Sequence, residues 1–431
     1  MATIALPTDK RTAQRFIRAF RALGRSLYAE VHPVGTAPLP ISAPMTLRFR
    51  GVDVLMSVGR ACARPENSHD PSNLFALVRY ATVLSETSNR LALSNSAKST
   101  DPHKKSVLSD EFGCGLSLMV SRRLFGAVYF IDLHEALRRG WVRINSPRSQ
   151  RPDYIARCSD GDLLVLEAKG TQSGCPASKR QVKDGCKQVT KVKVGNFQGK
   201  IKSRVAVGTA LQLESQRIGT TIFVADPDED DAVDVELNIS GEELFLRSHY
   251  SRLAALAGDE VLLDLMLDGR PSGGEEWSSG ELVERSIDGG TFLGRELIID
   301  GDEERLVVFA GIRDVVRRRL LLGGVKGFWD HSLTLLAEAQ LGMSPPFEPN
   351  WAELIRDELE QSVREPLDTG GREGGKRPRV VEVEEQFPPS EPVEQEYWAV
   401  APDGFLFHVN IGRQRYRDGR NDFGTSRIKV K

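Results

Sequence analysis

The spacing of apolar side chains predicts the elements of the N-terminal part of the chain. Between residues 10 and 29, apolar side chains recur at helical intervals at Phe16, Phe20, Leu23 and Leu27. This stripe predicts an amphipathic helix that docks on the body of the protein. An extended segment is predicted over Met45–Val58 and a helix over Ser72–Leu93. Residues 94–106 are polar and poor in helix formers, which is typical of a linker.

The segment from Ser109 to about Pro227 has the pattern of a mixed α/β unit. One helix is predicted first, followed by two strands, a second helix and two further strands. The predicted helices are Ser109–Phe130 and Ala177–Val192, and the predicted strands are Asp153–Cys158, Asp162–Lys169, Arg204–Leu211 and Thr220–Ala225. Helices and strands that alternate in this way favour a sheet covered by helices.

The C-terminal part combines helical patterns with two predicted hairpins. One hairpin spans Arg295–Gly311 and turns at Asp300 and Gly301, and the other turns around Pro402-Asp403-Gly404. The predicted division of the chain is an α+β region at 1–106, an α/β core at 107–227, a mainly helical domain at 228–365, a disordered linker rich in Gly, Pro and Glu at 366–396, and a hairpin with a basic tail at 397–431.

Composition excludes several classes of protein. The chain has 431 residues, and no stretch approaches the roughly 20 apolar residues that a membrane-spanning helix needs, so no membrane partner is expected. The five cysteines are odd in number and form no Cys-x-x-Cys pair, which argues against a disulfide framework and a zinc cluster. Reduced thiols in a cytoplasmic protein are therefore expected. Residues 10–29 hold six bases and no acid, but we favour the docked helix over a transit peptide.

The segment Arg151–Gly170 carries the candidate chemistry, in two strand patterns joined by a Ser-Asp-Gly turn that ends at Gly161. A two-residue loop would place Asp153 and Glu167 on opposite faces of the hairpin. A three-residue loop, with Gly161 left-handed in a bulge, pairs Asp153 with Glu167 instead. Because glycine stands where the second register requires it, we predict that register. Lys169 then projects from the same face as the two acids.

This trio predicts metal-assisted hydrolysis of phosphodiester bonds. Two opposed carboxylates repel each other unless a cation or a shared proton lies between them. Carboxylates at an open site suit Mg²⁺ or Mn²⁺, and Lys169 would hold the attacking water or neutralise charge that develops on phosphorus. The alternative is an exposed ion pair between Glu167 and Lys169. Apolar side chains on both faces of the hairpin favour burial and hence a functional role.

Pro152-Asp153, a spacer and then Glu167-Ala168-Lys169 resemble the signature of the PD-(D/E)XK nuclease superfamily, which has a restriction-endonuclease-like fold. The resemblance covers the 107–227 core and not its flanks. It implies an α/β fold in which a helix, a strand meander with the acidic residues, a second helix and a further strand follow one another. It also implies that Asp153, Glu167 and the carbonyl of Ala168 bind Mg²⁺ or Mn²⁺.

Two auxiliary residues follow from the same resemblance. Many members carry an acid on the first helix, and Glu111 is the position that matches. Some members carry a helical glutamine after the lysine, for which Gln188 is the candidate and Gln181, one heptad earlier, the competitor. Proteins with this core and unfamiliar flanks resemble components of bacterial genome defence or repair, which remains an analogy of fold.

The local charge around the second predicted helix favours a polyanionic substrate. Between Pro176 and Arg204 lie nine bases and one acid. The bases expected to bind nucleic acid, DNA more than RNA, are Lys179, Arg180, Lys183, Lys187, Lys191 and Lys193. Residues 226–243 carry nine acids and no base, and could solubilise the chain or mask this stripe. The rival hypotheses are a non-cleaving nucleic-acid-binding scaffold and a protein that recruits partners through the acidic segment or the C-terminal region.

Overall fold

The computed structural model describes most of the first 322 residues and a short C-terminal segment. The described ranges are 3–5, 10–35, 39–66, 71–144, 151–189, 192–194, 200–227, 233–237, 239–269, 282–287, 289–301, 304–322, 395–401 and 403–413. The predicted linker at 366–396, apart from its last two residues, and the basic tail beyond residue 413 lie outside them. None of the helices within these ranges is long and apolar enough to cross a membrane.

Helices and strands alternate along most of the described chain. The helices are α1 (Lys10–Leu23), α2 (Gly51–Cys62), α3 (Pro71–Ala76), α4 (Pro102–Phe125), α5 (Leu133–Arg138), α6 (Cys175–Val189), α7 (Gly241–Ala257) and α8 (Glu260–Asp268), and residues 314–322 are also helical. The first strands are β1 (Thr3–Ala5), β2 (Ser26–Pro33), β3 (Met45–Arg50), β4 (Ala127–Asp132), β5 (Val142–Ile144), β6 (Tyr154–Cys158), β7 (Leu163–Thr171) and β8 (Val192–Val194). The later strands are β9 (Ile201–Ala210), β10 (Thr221–Ala225), β11 (Val233–Leu237), β12 (Val283–Ile287), β13 (Gly290–Asp300), β14 (Glu304–Arg313), β15 (Gln395–Val400) and β16 (Phe405–Arg413).

A mixed seven-stranded sheet in the order β3-β2-β10-β9-β7-β6-β4 forms the centre of the fold. Strands β4, β6 and β7 form an antiparallel meander, and β9 returns parallel to β7 after α6. Helix α4 crosses one face of β7 so closely that a Cβ at Gly170 would lie 1.7 Å from the carbonyl oxygen of Ser109. Helix α6 covers the other face, where a Cβ at Gly185 would lie 3.1 Å from Glu167 Cγ. The protein is therefore α/β, with helices on both faces of a mixed sheet.

The predicted boundary at residue 106 does not separate two sheets. Strand β2 pairs in parallel with β10, so the N-terminal region and the α/β core share the seven-stranded sheet. Apolar side chains from both sides of this boundary also belong to one buried core.

A second sheet of six strands joins the two ends of the chain. Its order is β1-β13-β14-β16-β15, with β12 on β13. The hairpins predicted around Asp300 and Asp403 are both confirmed, because β13 pairs with β14 and β15 pairs with β16. Helix α7 packs between this sheet and β4. The region predicted as mainly helical is thus mixed in its described part, with strands β11–β14 beside the helices.

The first helix of the core differs from the prediction at both ends. It begins at Pro102 because Asp101 caps it, accepting a hydrogen bond from the His103 N–H at 2.8 Å, and the proline occupies a first-turn position that needs no donor. It ends at Phe125 because Gly126 adopts a left-handed conformation with φ +69°. Residues 127–130, predicted as helix, belong instead to β4, and the predicted linker at 94–106 contains the start of the helix.

Two N-terminal predictions were also wrong in part. The predicted extended segment becomes helix α2 after Arg50, where the Asp53 carboxylate accepts the Arg50 N–H at 2.8 Å. The helix predicted over Ser72–Leu93 is mostly irregular, because hydroxyl groups bind nearby backbone; Ser85 Oγ, for example, accepts the Ser88 N–H at 3.1 Å. The docked N-terminal helix is confirmed as α1, which buries Ile17, Phe20 and Leu23, but it ends at Leu23, and Leu27 of the predicted stripe lies in β2.

Candidate active site

The hairpin β6–β7 adopts the three-residue loop that its glycine predicts. Gly161 has φ +88°, and the Cys158 N–H donates to the Asp162 carbonyl at 2.8 Å. The ladder then continues to the pair Tyr154 and Leu166. The next pair along the two strands is Asp153 and Glu167, so the predicted register is confirmed and the two acids lie side by side at the open end of the hairpin.

Backbone and side chains interlock where the two strands separate. Asp153 donates its N–H to Glu167 Oε2 at 3.1 Å, and Ala168 donates its N–H to Asp153 Oδ2 at 2.8 Å. The N–H and the carbonyl of one strand residue point to the same side, so the Ala168 carbonyl also points towards Asp153. The two carboxylates are therefore held next to each other by backbone N–H groups, beside the backbone of Ala168.

Lys169 completes this group, which we call the carboxylate site and define as Asp153, Glu167, Ala168 and Lys169. Its Nζ forms an ion pair with Glu167, and the two side chains are 30% and 1% exposed. Lys169 therefore lies at the rim of the site and Glu167 at its floor. Burial lowers the pKa of Lys169, but the hydrogen bond and the charges of Glu167 and Asp153 outweigh it and hold that pKa above its ordinary value.

Burial and the proximity of the two carboxylates raise the pKa of Glu167, and burial raises that of Asp153. Burial, followed by the charge of Asp153, raises the pKa of Glu167 to about 8. Burial also raises the pKa of Asp153, despite its hydrogen bond from Ala168 and the charge of Lys169. The site therefore holds a proton at neutral pH that a cation between the two carboxylates would displace.

Gln188 reaches the carboxylate site from α6. In the amide orientation that satisfies its hydrogen bonds, its nitrogen donates to Glu167 Oε2 at 2.9 Å and to the Arg151 carbonyl at 3.1 Å. Gly185, one turn earlier, lets the helix pass directly over Glu167 because it has no Cβ. Of the two candidate glutamines, the structure brings Gln188 to the acids, whereas Gln181 Oε1 is buried without a hydrogen-bond partner among the described residues.

Glu111 occupies a different environment from the one expected. It accepts a hydrogen bond from the Tyr80 hydroxyl and forms an ion pair with Arg79, on the side of α4 that faces the α3 region. The neighbouring Asp110 is exposed, and no hydrogen bond or ion pair joins it to the carboxylate site among the described residues. Partial burial raises the pKa of Asp110, and the charge of Lys169 offsets this only in part. A role for Glu111 as a metal ligand or base stays a prediction.

The sequence placed Asp110 and Glu111 together at the start of a helix. It did not indicate that Asp110 is the acid whose pKa the charge of Lys169 affects. The signal was the pair Gly113 and Gly170, because two facing glycines fix which side of α4 meets β7. Within the part of the chain that the structure describes, no group of three or more His, Cys, Asp or Glu side chains is placed to hold a metal ion. Any cation at the carboxylate site would thus rely on two carboxylates, a carbonyl and water.

The predicted nucleic-acid-binding bases lie on the outer side of α6. Its buried side chains are Ser178, Val182, Gly185 and Val189, so the bases between them face solvent. Lys179 lies 5.1 Å from the Phe223 ring centroid, and Lys187 pairs with Asp184 at 2.8 Å. Arg180 and Lys183 are exposed as well. Lys191 lies outside the described residues, and only the backbone of Lys193 is described, in β8.

The acid-rich segment at 226–243 contributes a strand beside this basic region. Its strand β11 pairs in parallel with β8, in a register that aligns Asp234 with Lys193. Residues 228–232 and 238 lie outside the described ranges. Comparison of the chain with protein-family models, curated proteins and solved structures found no significant match.

Proposed function

We propose that this protein is a metal-dependent nuclease that hydrolyses phosphodiester bonds, of DNA more than of RNA. The observation that carries the proposal is the carboxylate site, where Asp153 and Glu167 meet at the open end of a hairpin and Lys169 contacts the buried acid. Such a group of charges at the rim of a buried sheet is costly to maintain, which favours a catalytic role over a structural one.

The order of elements around the site supports the proposal. Helix α4, the meander β4–β6–β7, helix α6 and the strand β9 follow one another. Asp153 immediately precedes the second strand of that meander, and Glu167 lies on the third. This is the succession that the resemblance to PD-(D/E)XK nucleases implies.

The donor set fits Mg²⁺ or Mn²⁺. Oxygen atoms of Asp153, Glu167 and the Ala168 carbonyl would hold the ion, and the two raised pKa values mark a pair of acids whose repulsion a cation would relieve. When bound, the metal supplies a water of lowered pKa and stabilises the charge on the phosphoryl oxygens. Ligands from the chain alone would leave positions open for water and for a substrate phosphate.

The other residues of the site would orient the reacting groups and neutralise the charge that develops during the reaction. Lys169, freed from Glu167 once a cation binds that carboxylate, would hold the nucleophilic water or the developing negative charge. Gln188 would keep the Glu167 carboxylate in one orientation through its amide N–H.

The outward bases of α6 would bind the substrate backbone. Lys179, Arg180, Lys183 and Lys187 are all exposed on one helix that also carries Gln188. Phosphate contacts of this kind are independent of sequence and sensitive to salt. These bases would bring a nucleic-acid strand to the rim of the carboxylate site, where Lys169 is exposed.

A cleavage assay with matched variants tests the proposal. Purified protein is incubated with supercoiled plasmid, single-stranded DNA and RNA, in Mn²⁺ or in chelator. We expect Mn²⁺-dependent products that fall at least about 1,000-fold in rate in Glu167→Gln and Lys169→Ala, because each removes an interaction made in the transition state. Glu86→Gln, at an exposed acid of the irregular segment before α4, serves as the control and should keep full activity. Full activity of a folded Glu167→Gln variant would rule the proposal out.

A non-cleaving nucleic-acid-binding scaffold is the second candidate. It is favoured by one observation, that no third acid joins the two carboxylates among the described residues. It predicts salt-dependent binding of the same nucleic acids by the wild-type protein without any Mn²⁺-dependent product.

A further inference from the structure

A second buried group of charges lies on the opposite side of the seven-stranded sheet from α6. We call it the arginine cluster, and it comprises Arg60, Arg122, Arg252, His249, Asp132 and Asp403. It joins helices α2, α4 and α7 to the end of β4 and to the turn before β16. Arg60 and Asp403 are 5% and 3% exposed, so its centre is closed to solvent.

Asp403 is shared by two arginines and a histidine. Arg60 forms an ion pair with it, Arg122 Nη2 lies 3.3 Å from Asp403 Oδ2, and His249 Nε2 lies 2.8 Å from the same oxygen. Burial alone would raise the pKa of Asp403, but these neighbours hold it well below its usual range. The carboxylate is therefore ionised at neutral pH.

The histidine in the cluster is neutral. The Phe130 N–H donates to His249 Nδ1 at 3.3 Å, so this nitrogen carries a lone pair, and the proton is on Nε2, which faces Asp403. Burial lowers the pKa of His249 to about 4, so the ring is uncharged at neutral pH. His249 consequently adds no charge to the cluster.

The cluster carries one more positive charge than its carboxylates balance. The third arginine, Arg252, pairs with Asp132, whose other oxygen caps helix α5 by accepting the Glu135 N–H at 2.8 Å. Glu135 is engaged separately by Arg138 and Arg139. Three arginines share two aspartates, so the cluster carries a net charge of +1. A net charge that is largely buried is unfavourable.

A small cavity lies among the same residues. Its volume is about 20 Å³, and its polar lining consists of Arg60, Arg122, Arg252, His249 and Tyr154, with the Asp132 carboxylate engaged by Arg252. Roughly 10–15 Å³ suffices for a water molecule, so an ion of similar size also fits. The Nε atoms of Arg122 and Arg252 are buried and have no hydrogen-bond partner in the ranges that the structure describes. The cavity thus combines unused donors with an unbalanced positive charge.

We propose that this cavity binds one small monovalent anion of the chloride class, which accepts hydrogen bonds from the cluster's arginines and supplies the missing negative charge. Water could fill the space but would leave the charge unbalanced. The anion would stabilise the fold at the junction of α2, α4, α7 and the C-terminal hairpin, and this inference is independent of the proposed nuclease activity.

Thermal unfolding in matched salts tests the anion site. Sodium gluconate is exchanged for sodium chloride at constant ionic strength, and the Tm of the full chain is recorded. We expect a saturable rise in Tm of about 2 °C or more in the wild-type protein. Arg122→Met removes the surplus charge and should lose this dependence, whereas Arg18→Met, on the exposed side of α1, should keep it. A wild-type Tm indifferent to chloride, or an equal dependence in Arg122→Met, would overturn the proposal.

Bromide diffraction gives an answer that needs no variant. Crystals of the wild-type protein grown or soaked in sodium bromide should give an anomalous peak in the cavity, within hydrogen-bond distance of Arg122 or Arg252. Crystals with bromide peaks elsewhere and none in this cavity would contradict the proposal, even if Arg122→Met failed to fold.

Discussion

The carboxylate site and the arginine cluster are two buried groups of charge with opposite excess. With both acids ionised, Asp153 and Glu167 exceed Lys169 by one negative charge, whereas the arginine cluster exceeds its aspartates by one positive charge. The two groups are separated by the thickness of one sheet, and Tyr154, which lines the arginine cluster, is the chain neighbour of Asp153.

The two groups differ in how the excess can be relieved. The carboxylate site takes up a proton, since the pKa of Glu167 is raised to about 8 by burial and by Asp153. The arginine cluster does not readily lose a proton. Burial and the charge of Arg60 lower the pKa of Arg122 only to about 9, so Arg122 stays charged at neutral pH. In our proposals, one group would therefore exchange a proton for a metal ion, and the other would bind a permanent counterion.

They also differ, though less, in access. Each has a deeply buried acid, Glu167 or Asp403, whose side chain is 1% exposed, and a cation nearer the surface; Lys169 is 30% exposed and Arg122 18%. The carboxylate site is the more open of the two, which suits the entry of water, a metal ion and a phosphate.

The largest effect is expected in the arginine cluster. Asp403→Asn would leave Arg60 and Arg122 facing each other without a counterion, and we expect a loss of about 3–5 kcal/mol in the free energy of unfolding. Asp160→Asn is the matched control, because Asp160 pairs with Lys202 at an exposed position and should cost at most about 1 kcal/mol. Urea unfolding measures both. Equal losses of unfolding free energy in the two variants would mean that the buried ion pairs of Asp403 stabilise the protein no more than an exposed ion pair does.

The next effect concerns the glutamine that holds the buried acid. Gln188→Ala should raise the Mn²⁺ dissociation constant about 10- to 100-fold, because residues that orient a ligating carboxylate affect affinity by that amount. Gln181→Ala removes the competing glutamine of the same helix and should change the constant little. Calorimetric titration of Mn²⁺ into both variants measures the two dissociation constants. A larger effect of Gln181→Ala would show that Gln181, and not Gln188, supports the metal site.

The proton on Glu167 predicts an unusual pH dependence without metal. Its pKa is about 8 when folded and near 4.5 ordinarily, so between these values the folded protein binds more protons than the unfolded chain. Stability should therefore fall as pH rises from about 5 to 8, by up to about 1.4 kcal/mol per unit. Glu167→Gln should match the wild type near pH 5 and unfold at a higher Tm at pH 8.5. A variant less stable than wild type at pH 8.5 would show that the ionised acid is well accommodated.

The smallest effect is expected from single bases on α6. Lys183→Gln and Arg180→Gln should each lower the slope of log binding constant against log salt by about 0.7, with single-stranded DNA as the ligand. Arg11→Gln, an exposed base of α1, should leave the slope unchanged. Unchanged slopes in both α6 variants would remove this helix from the binding surface.

The sequence predicted the hairpin of the carboxylate site well because its determinants are local. Gly161 fixes the loop length, and the loop length fixes which residues face each other, so Asp153 and Glu167 could be paired from sequence alone. The hairpins around Asp300 and Asp403 followed from turn residues in the same way. Such features depend on neighbours in the chain and not on the rest of the fold.

The predictions that failed depended on contacts distant in sequence. Helix α2 contains a Val-x-Val pattern typical of a strand, but it is buried nearly all round against other helices, and Gly115 of α4 approaches Val58 closely. The assignment of Glu111 required the rotation of α4 about its axis, which Gly113 and Gly170 set through tertiary packing. The arginine cluster assembles residues from positions 60 to 403, and no local pattern indicates it.

Titration of Mn²⁺ into the metal-free protein at pH 7 tests the central claim most directly. Calorimetry in two buffers of different ionisation enthalpy should find one Mn²⁺ per chain and a proton released as it binds, because Glu167 must lose its proton. Glu167→Gln should bind at least about 100-fold more weakly, without that proton, while Glu86→Gln behaves as the wild type. Binding of equal strength in Glu167→Gln, or no binding by the wild-type protein, would contradict the claim that these two acids form a metal site.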